Sequence, residues 1–179
     1  MSSSKADIDT SVLVTRAQAG SRAAMAELHR RFAPMVHAIV LAHRQHSDAA
    51  DLTQQAFVTA IRRIGSLRDP AAFGPWLGQI ARNTTRDHLR RRRPQAELTQ
   101  HEPAVAAEGP ARVEVQRVLA VIRTLPEQQA EMLMMRLLEG MTGPEIAART
   151  GMKPGAVRVA LHRGLAKLRD QLNDDRSSA

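Results

Sequence analysis

The sequence predicts an all-α protein of two small helical domains joined by a flexible linker. Three observations carry this. Ala, Leu, Arg, Gln and Glu abound, whereas strand-favouring runs of Val, Ile, Thr and aromatics are missing; aromatics make up 2% of the 179 residues and Tyr is absent. Apolar residues recur at steps of three and four through most of the chain, the spacing of one helix face. From Pro94 to about Arg112 that period stops, in an Ala-rich stretch with Pro-containing turns and the three acids Glu97, Glu102 and Glu108. The expected division is a helical domain over 1–93, a linker over 94–111 and a second helical domain over 112–179.

Each element has its own signals. A first helix is expected over Ile8 to Ala19, burying Val12, Leu13 and Ala17 and stopped by Gly20. Ser21 is the N-cap of a second, whose apolar positions are Ala24, Leu28, Phe32, Met35, Val36 and Ile39, with a kink expected at Pro34. Ser47 caps a third, with Leu52, Ala56, Ala60, Ile61 and Ile64 as its buried stripe and Gly65 as its end. In the turn Leu67-Arg68-Asp69-Pro70, Asp69 caps and Pro70 opens a further helix. Pro75 leaves two readings there: one kinked helix from Asp69, or a regular helix from about Gly74, continuing in either case to about Arg92.

Beyond the linker, a helix from about Arg112 to Thr124 turns Val115, Val118, Leu119 and Ile122 inward. Leu125-Pro126 starts another that carries Met132, Leu133, Met135, Leu137 and Leu138 to a stop at Gly140. Thr142-Gly143-Pro144-Glu145 has the form of a capping box for a short helix ending at Gly151. The last helix presents Val157, Leu161, Leu165 and Leu168 on one side.

The formal net charge is +8, unevenly distributed. Residues 1–93 hold 15 Lys/Arg against 7 Asp/Glu; residues 94–179 hold 11 of each, yet 141–169 carry six basic groups against Glu145 alone. Two separated basic surfaces fit a polyanion contacted at two places. With no Cys, disulfides and thiolate metal sites are excluded. His43 and His46 lack a third ligand at helical spacing and read as a surface pair, so no metal and no cofactor is expected. No apolar run approaches membrane-spanning length, and the start Met1-Ser2-Ser3-Ser4-Lys5 lacks a signal-peptide core. The expected location is the cytoplasm, without membrane insertion.

Two segments carry binding chemistry. Residues 142–169 have the layout of a helix-turn-helix: a short capped helix, a glycine-containing turn and a longer basic helix. Ile146, Ala147, Val157 and Leu161 pack the pair, while Arg158, His162 and Arg163 stand outward for DNA. The alternative is a helical hairpin with a basic surface. In the tract 82–93, Asn83, Arg86, Asp87 and Arg90 share one helical stripe. Arg clamps phosphates and Asn pairs with a base edge, but a solvated helix end has the same pattern.

The motif Asp51-Leu52-Thr53-Gln54-Gln55-Ala56-Phe57, followed by Trp76-Leu77 and Ile80-Ala81-Arg82-Asn83, resembles region two of bacterial sigma factors. The segment from Leu125-Pro126 through Glu145-Ile146-Ala147 to Gly155-Ala156-Val157-Arg158 resembles region four. Only the short linker separates them, which is the layout of the extracytoplasmic-function (ECF) subfamily, over about residues 8–172. The resemblance implies a protein that binds core RNA polymerase, recognises the −10 and −35 promoter elements and nucleates strand opening without being an enzyme. Asp51, Gln54, Gln55 and Phe57 match the positions that dock on the clamp of the large β and β′ subunits, with Phe57 also suited to the core. Leu67, Arg68 and Asp69 match the loop that captures a flipped −10 base, and Asn83, Arg86, Asp87 and Arg90 match the helix reading its neighbours. Trp76 is either a stacking face for melted strand or part of the apolar stripe, which its neighbours Leu77 and Ile80 favour. Lys153, Arg158, Val159, His162 and Arg163 match the −35 reading helix.

The chain departs from the family pattern at Gln55, where Glu is usual, and at Ala156, Val159 and Ala160, where a Thr, a Ser and a second basic residue are common. Val159 or Ala160 suits a thymine methyl instead. The acidic linker suits passage through the basic RNA exit channel, and the basic faces are natural targets for an anti-sigma factor, although no residue identifies one. The rival reading is a stand-alone helix-turn-helix regulator that needs no polymerase. A nucleic-acid enzyme is disfavoured by the lack of clustered carboxylates, an activated nucleophile or a phosphate-cradling glycine loop.

Overall fold

The computed structural model describes residues 9–43, 48–96 and 110–177, and the described residues are helical with tight connections. The elements are α1 (Thr10–Gln18), α2 (Arg22–His43), α3 (Ala49–Arg63), α4 (Phe73–Ala96), α5 (Pro110–Thr124), α6 (Glu127–Leu137), α7 (Gly143–Thr150) and α8 (Pro154–Ser177), with 3-10 turns at Ile64–Ser66 and Pro70–Ala72. No helix among the described residues is long and apolar enough to cross a membrane. The expected cap Ser47 and most of the expected linker lie outside the described residues. α4 runs past Pro94 to Ala96 and α5 begins at Pro110, so regular helix takes up both ends of that segment.

Asp9 caps α1 by accepting from the Ser11 amide at 2.9 Å, and the buried face is Leu13, Val14 and Ala17. Val12 instead faces solvent at 41%, because the stripe advances one position round the helix. Ser21 accepts from the Ala24 amide at 3.3 Å, and α2 buries all six of its expected apolar residues. It is the central strut of the first half, packed by α1, α3 and α4. Leu52, Ala56 and Ala60 of α3 and Ile64 of the following 3-10 turn are buried as expected, but Ile61 is 51% exposed and Phe57 takes its place inside. Asp69 caps the turn before α4 by accepting from the Ala71 amide at 3.0 Å, with Pro70 in the first position. A 3-10 turn then passes into regular helix at Phe73, which settles the two readings left open by Pro75.

In the second half α5, α6, α7 and α8 form a compact bundle. Val115 is exposed rather than inward; of the apolar residues expected along the next helix, Leu137 and Leu138 are exposed, while Met134 is fully buried. The inward face of α6 is thus Ala130, Glu131, Met132, Leu133, Met134 and Met135, a nearly continuous buried run. A helix buried on more than one side is sandwiched, and α6 packs against α2 as well as against α8. The capping box of α7 is formed: the Glu145 carboxylate accepts from the Thr142 amide at 2.7 Å, and Thr142 accepts from the Glu145 amide at 3.4 Å. α7 ends at Gly151 in the left-handed region, with φ of 71°. Leu165 is 37% exposed, and the neighbouring Gly164, where a Cβ would come within 3.0 Å of Leu133, lets that leucine approach α8 closely.

The two halves are not held apart. α6 lies in the angle between α2 and its own bundle, and α7 touches α4. Leu133, fully buried where α6 meets α8, is a sensitive reporter of the second half. Leu133→Ala should lower stability by about 2–5 kcal/mol in urea unfolding, through lost transfer energy and the cavity left behind.

Candidate nucleic-acid and polymerase interfaces

α3 presents Asp51, Gln54 and Gln55 on its solvent face. Val58 and Ile61 are exposed on the same helix, at 45% and 51%. Phe57 is turned away, 3% exposed, with its ring 4.3 Å from the His29 ring. Of the four expected docking residues Phe57 is therefore corrected to a core residue, because the α3 stripe that buries Leu52 and Ala56 carries it inward.

The turn between α3 and α4 places Arg68 and Asp69 outward and buries Leu67 at 8%. Leu67 thus anchors the turn instead of lining its outer face. Gln18 of α1 holds the turn from behind, donating from Nε2 to the carbonyls of Ile64 at 3.0 Å and Leu67 at 2.8 Å. Sequence reading missed this residue, since a Gln near a helix end gives no sign of a partner some fifty positions away. Along α4, Asn83, Arg86, Asp87 and Arg90 are all exposed, as their spacing requires. Asn83 accepts from Gln79 at 3.0 Å, and Asp87 pairs with Arg90 at 3.0 Å. A cleft of about 280 Å³ between α3 and α4 is lined by Gln55, Thr59, Arg63, Asn83 and Asp87 among others. Trp76 is half-buried, its ring 5.8 Å from Phe73, so it belongs in part to the core stripe.

Lys153, just before α8, and Arg158, Val159, His162 and Arg163 on it are all exposed. Val157, one step from Arg158, is fully buried beside Ile146 and Ala147, the helix-turn-helix packing expected from the pattern. Val159 is 45% exposed, an apolar side chain standing in the middle of a basic face.

What the sequence did not disclose is a polar cluster where the two halves meet. Arg82 of α4 donates to both carboxylate oxygens of Glu131 of α6, from Nε at 2.8 Å and Nη2 at 2.7 Å. His43 Nε2 lies 3.3 Å from the same carboxylate and 3.5 Å from that of Glu127. Arg86 donates to Glu127 at 2.7 Å. His43 is therefore no surface residue but a half-buried partner of α6; His46 lies outside the described residues. The ligand atoms of His43, Glu127 and Glu131 fall within 4.8 Å of one another, a spacing a cation could use, but Arg82 already supplies the countercharge. Burial pushes the Glu131 carboxyl up, and hydrogen bonds from His43 and Arg82 outweigh it, holding the group below its ordinary value of 4.5. The same contact raises Arg82 above its ordinary value. Further out, His37 meets Glu139 at 2.6 Å, and Arg123 and Arg149 donate to the carbonyls of Leu41 and Arg31 at 3.2 and 2.7 Å.

Comparison with known proteins agrees with both halves. Residues 28–95 match the family described as sigma-70 region 2, and residues 115–168 match sigma-70, region 4. The ECF RNA polymerase sigma-E factor of Escherichia coli is 32% identical over 168 residues, 85% of this chain and 88% of that protein. The probable RNA polymerase sigma factor RfaY of Xanthomonas campestris is 38% identical over 149 residues, 76% of this chain; the chain spans only 37% of that relative's length. Among solved structures, CnrH in complex with the cytosolic domain of CnrY superposes with a TM-score of 0.61 at 27% identity, covering 93% of this chain and 98% of that one. The chain belongs to the sigma-70 family, in its extracytoplasmic-function subfamily.

Because the folded carboxyl of Glu131 sits below its unfolded value, its ionised form stabilises the fold above about pH 4.5, and this contribution is lost as pH falls through the lower folded value. The thermal midpoint of the wild type should accordingly fall on acidification through that range. That of Glu131→Gln should start lower and fall less, as followed by circular dichroism.

Proposed function

We propose that this chain acts as an ECF sigma factor in full: it binds bacterial core RNA polymerase, recognises a −35 and a −10 element and nucleates promoter melting. The observation that carries the reading is the pairing of faces with halves. A polar face of Asp51, Gln54 and Gln55 and the exposed stripe of α4 belong to the half matching region two. The basic outer face of α8 belongs to the half matching region four. Asp51, Gln54 and Gln55 dock on the clamp of the β and β′ subunits, with Val58 and Ile61 adding apolar contact beside them. Gln55 accepts or donates without a formal charge, so the contact is weaker there than a carboxylate would make it.

At the −10 element, Arg68 and Asp69 rim the site of an extruded base, on a turn braced by Gln18. Unstacking that base costs a few kcal/mol, which binding in the pocket offsets. Asn83 and Asp87 read adjacent bases, Arg86 and Arg90 hold phosphates, and the exposed part of Trp76 remains available for stacking. At the −35 element, Arg158, His162 and Arg163 enter the major groove, Lys153 holds the backbone, and Val159 packs on a thymine methyl. The chain makes no covalent bond; the segment between α4 and α5 carries the acidic stretch toward the polymerase exit channel. A protein that covers the basic faces, of the anti-sigma kind, is the further partner this reading implies, and membrane insertion forms no part of it.

Run-off transcription from a promoter library with purified core polymerase tests the reading: promoter-dependent transcripts should need both proteins. Their absence, with duplex binding retained, would favour the stand-alone regulator. Asp51→Ala combined with Gln54→Ala should weaken core binding at least tenfold with the helix content unchanged, about 1.4 kcal/mol or more. In a separate measurement, Arg158→Ala should weaken −35 duplex binding and, where the arginine meets a phosphate, make the logarithmic salt slope shallower by about 0.9. An unaltered affinity and slope would remove Arg158 from the interface.

A further inference from the structure

The helix assigned to the −35 element is short of groups that read bases. From Met152 to Arg169 the chain has no Ser, Thr, Asn, Gln, Asp or Glu. Hydroxyls, amides and carboxylates are the side chains that accept hydrogen bonds from a base edge. The segment therefore offers only the imidazole of His162 and the thioether of Met152, which already accepts from Gln128 at 3.5 Å. Its donors, on Arg158, Arg163 and Lys167, match the acceptors of guanine and of phosphate. What else is exposed at the start of α8, the end that enters the groove in a helix-turn-helix, includes Gly155, Ala156 and Val159. None of these carries a polar side-chain atom. The feature of a major-groove base edge that an apolar side chain recognises is the methyl group on C5 of a pyrimidine.

The structure singles out Val159 for that contact. It is 45% exposed, whereas Ala160 beside it is half-buried against the core, so Val159 is the one presented outward. Val157 is fully buried, which fixes the rotation of α8 about its axis and turns Val159 away from the bundle. A β-branched side chain holds one rotamer in a helix, so its two methyls are set in place before DNA arrives. A side chain this short reaches a base edge only where the backbone lies close to the groove. Gly155, one turn earlier on the same line, has no side chain to hold the backbone off. A Cβ there would meet nothing within 4 Å, so packing within the chain does not call for glycine at this position. We propose that this chain reads its −35 element through C5-methyl groups, so that 5-methylcytosine stands in for thymine at the position Val159 meets and cytosine methylation of the element changes its use. The proposal rests on the assignment of α8 to the −35 element.

The test uses the full chain with core polymerase and a promoter recovered by run-off transcription. Each −35 thymine is replaced in turn by uracil, which removes the C5 methyl and keeps every hydrogen-bonding group. Fluorescence anisotropy reads the binding. At one position, or two in succession, uracil should weaken binding about fourfold, the worth of burying one methyl-sized group. Cytosine at that position should also weaken binding, and 5-methylcytosine should bind about fourfold more tightly than cytosine there. Val159→Ala, a change on an exposed helix face whose helix content circular dichroism verifies, should remove both differences. Arg158→Ala should weaken thymine and uracil duplexes alike. A −35 element without thymine, or uracil tolerated at every position, would overturn the proposal and leave the assignment of α8 standing. So would a methyl preference that survives Val159→Ala. Failure to recover any promoter, or binding that neither Arg158→Ala nor Val159→Ala weakens, would instead remove the assignment of α8, and the proposal with it.

Discussion

Glu131 is 2% exposed, on a helix whose other inward residues are Ala, Leu and Met. A carboxylate in such surroundings is tolerated only with countercharge and full hydrogen bonding, since its desolvation is otherwise too costly. Both come from the other half of the chain: the fork of Arg82 takes the two oxygens, and His43 approaches one of them from the end of α2. The position of α6 against α2 and α4 follows from this requirement. Apolar packing along α2 and α6 brings the halves together without direction, and the ion cluster fixes where along α4 they meet.

Small residues recur at other close helix contacts of the same bundle. A bidentate Arg–carboxylate pair demands short distances, and short distances between helices demand side chains that stand aside. Gly74 lets the Arg149 carbonyl reach α4, and Gly164 lets Leu133 settle into α8 from the opposite side of α6. The helix carrying the acidic pair is thus seated on both faces. The surfaces proposed to meet DNA are braced in the same way. Gln18 braces the turn that presents Arg68 and Asp69, and the capping box fixes the start of α7.

The outward faces were largely legible in the sequence. Asn83, Arg86, Asp87 and Arg90 share an exposed stripe because steps of three and four leave no other outcome on one helix. Arg158, His162 and Arg163 stand out because Val157 is drawn inward. The errors fall at stripe edges. Phe57 against Ile61 and Met134 against Leu137 are neighbours in angle on their helices, and Val14 and Val12 flank the buried Leu13 on its two sides. Which of them is buried depends on where the neighbouring helix lies, and periodicity does not carry that information.

What the sequence by itself determined was therefore everything local: the helical class, most caps and stops, the helix-turn-helix of α7 and α8, and the family to which the two motifs point. What only the tertiary structure decided was the pairing of groups remote in the chain. Arg82 stood at the head of a basic tract and His43 read as one of a surface pair, while Glu127 and Glu131 carried no signal that singled them out. Their partners lie on other helices, and a side chain's sequence context records its own helix face but not the face that will be packed against it. The segment from Asp51 to Phe57 marks the same boundary: the spacing separates a polar side from an apolar one, and the packing of α3 on α2 and α4 decides that Phe57 belongs to the core.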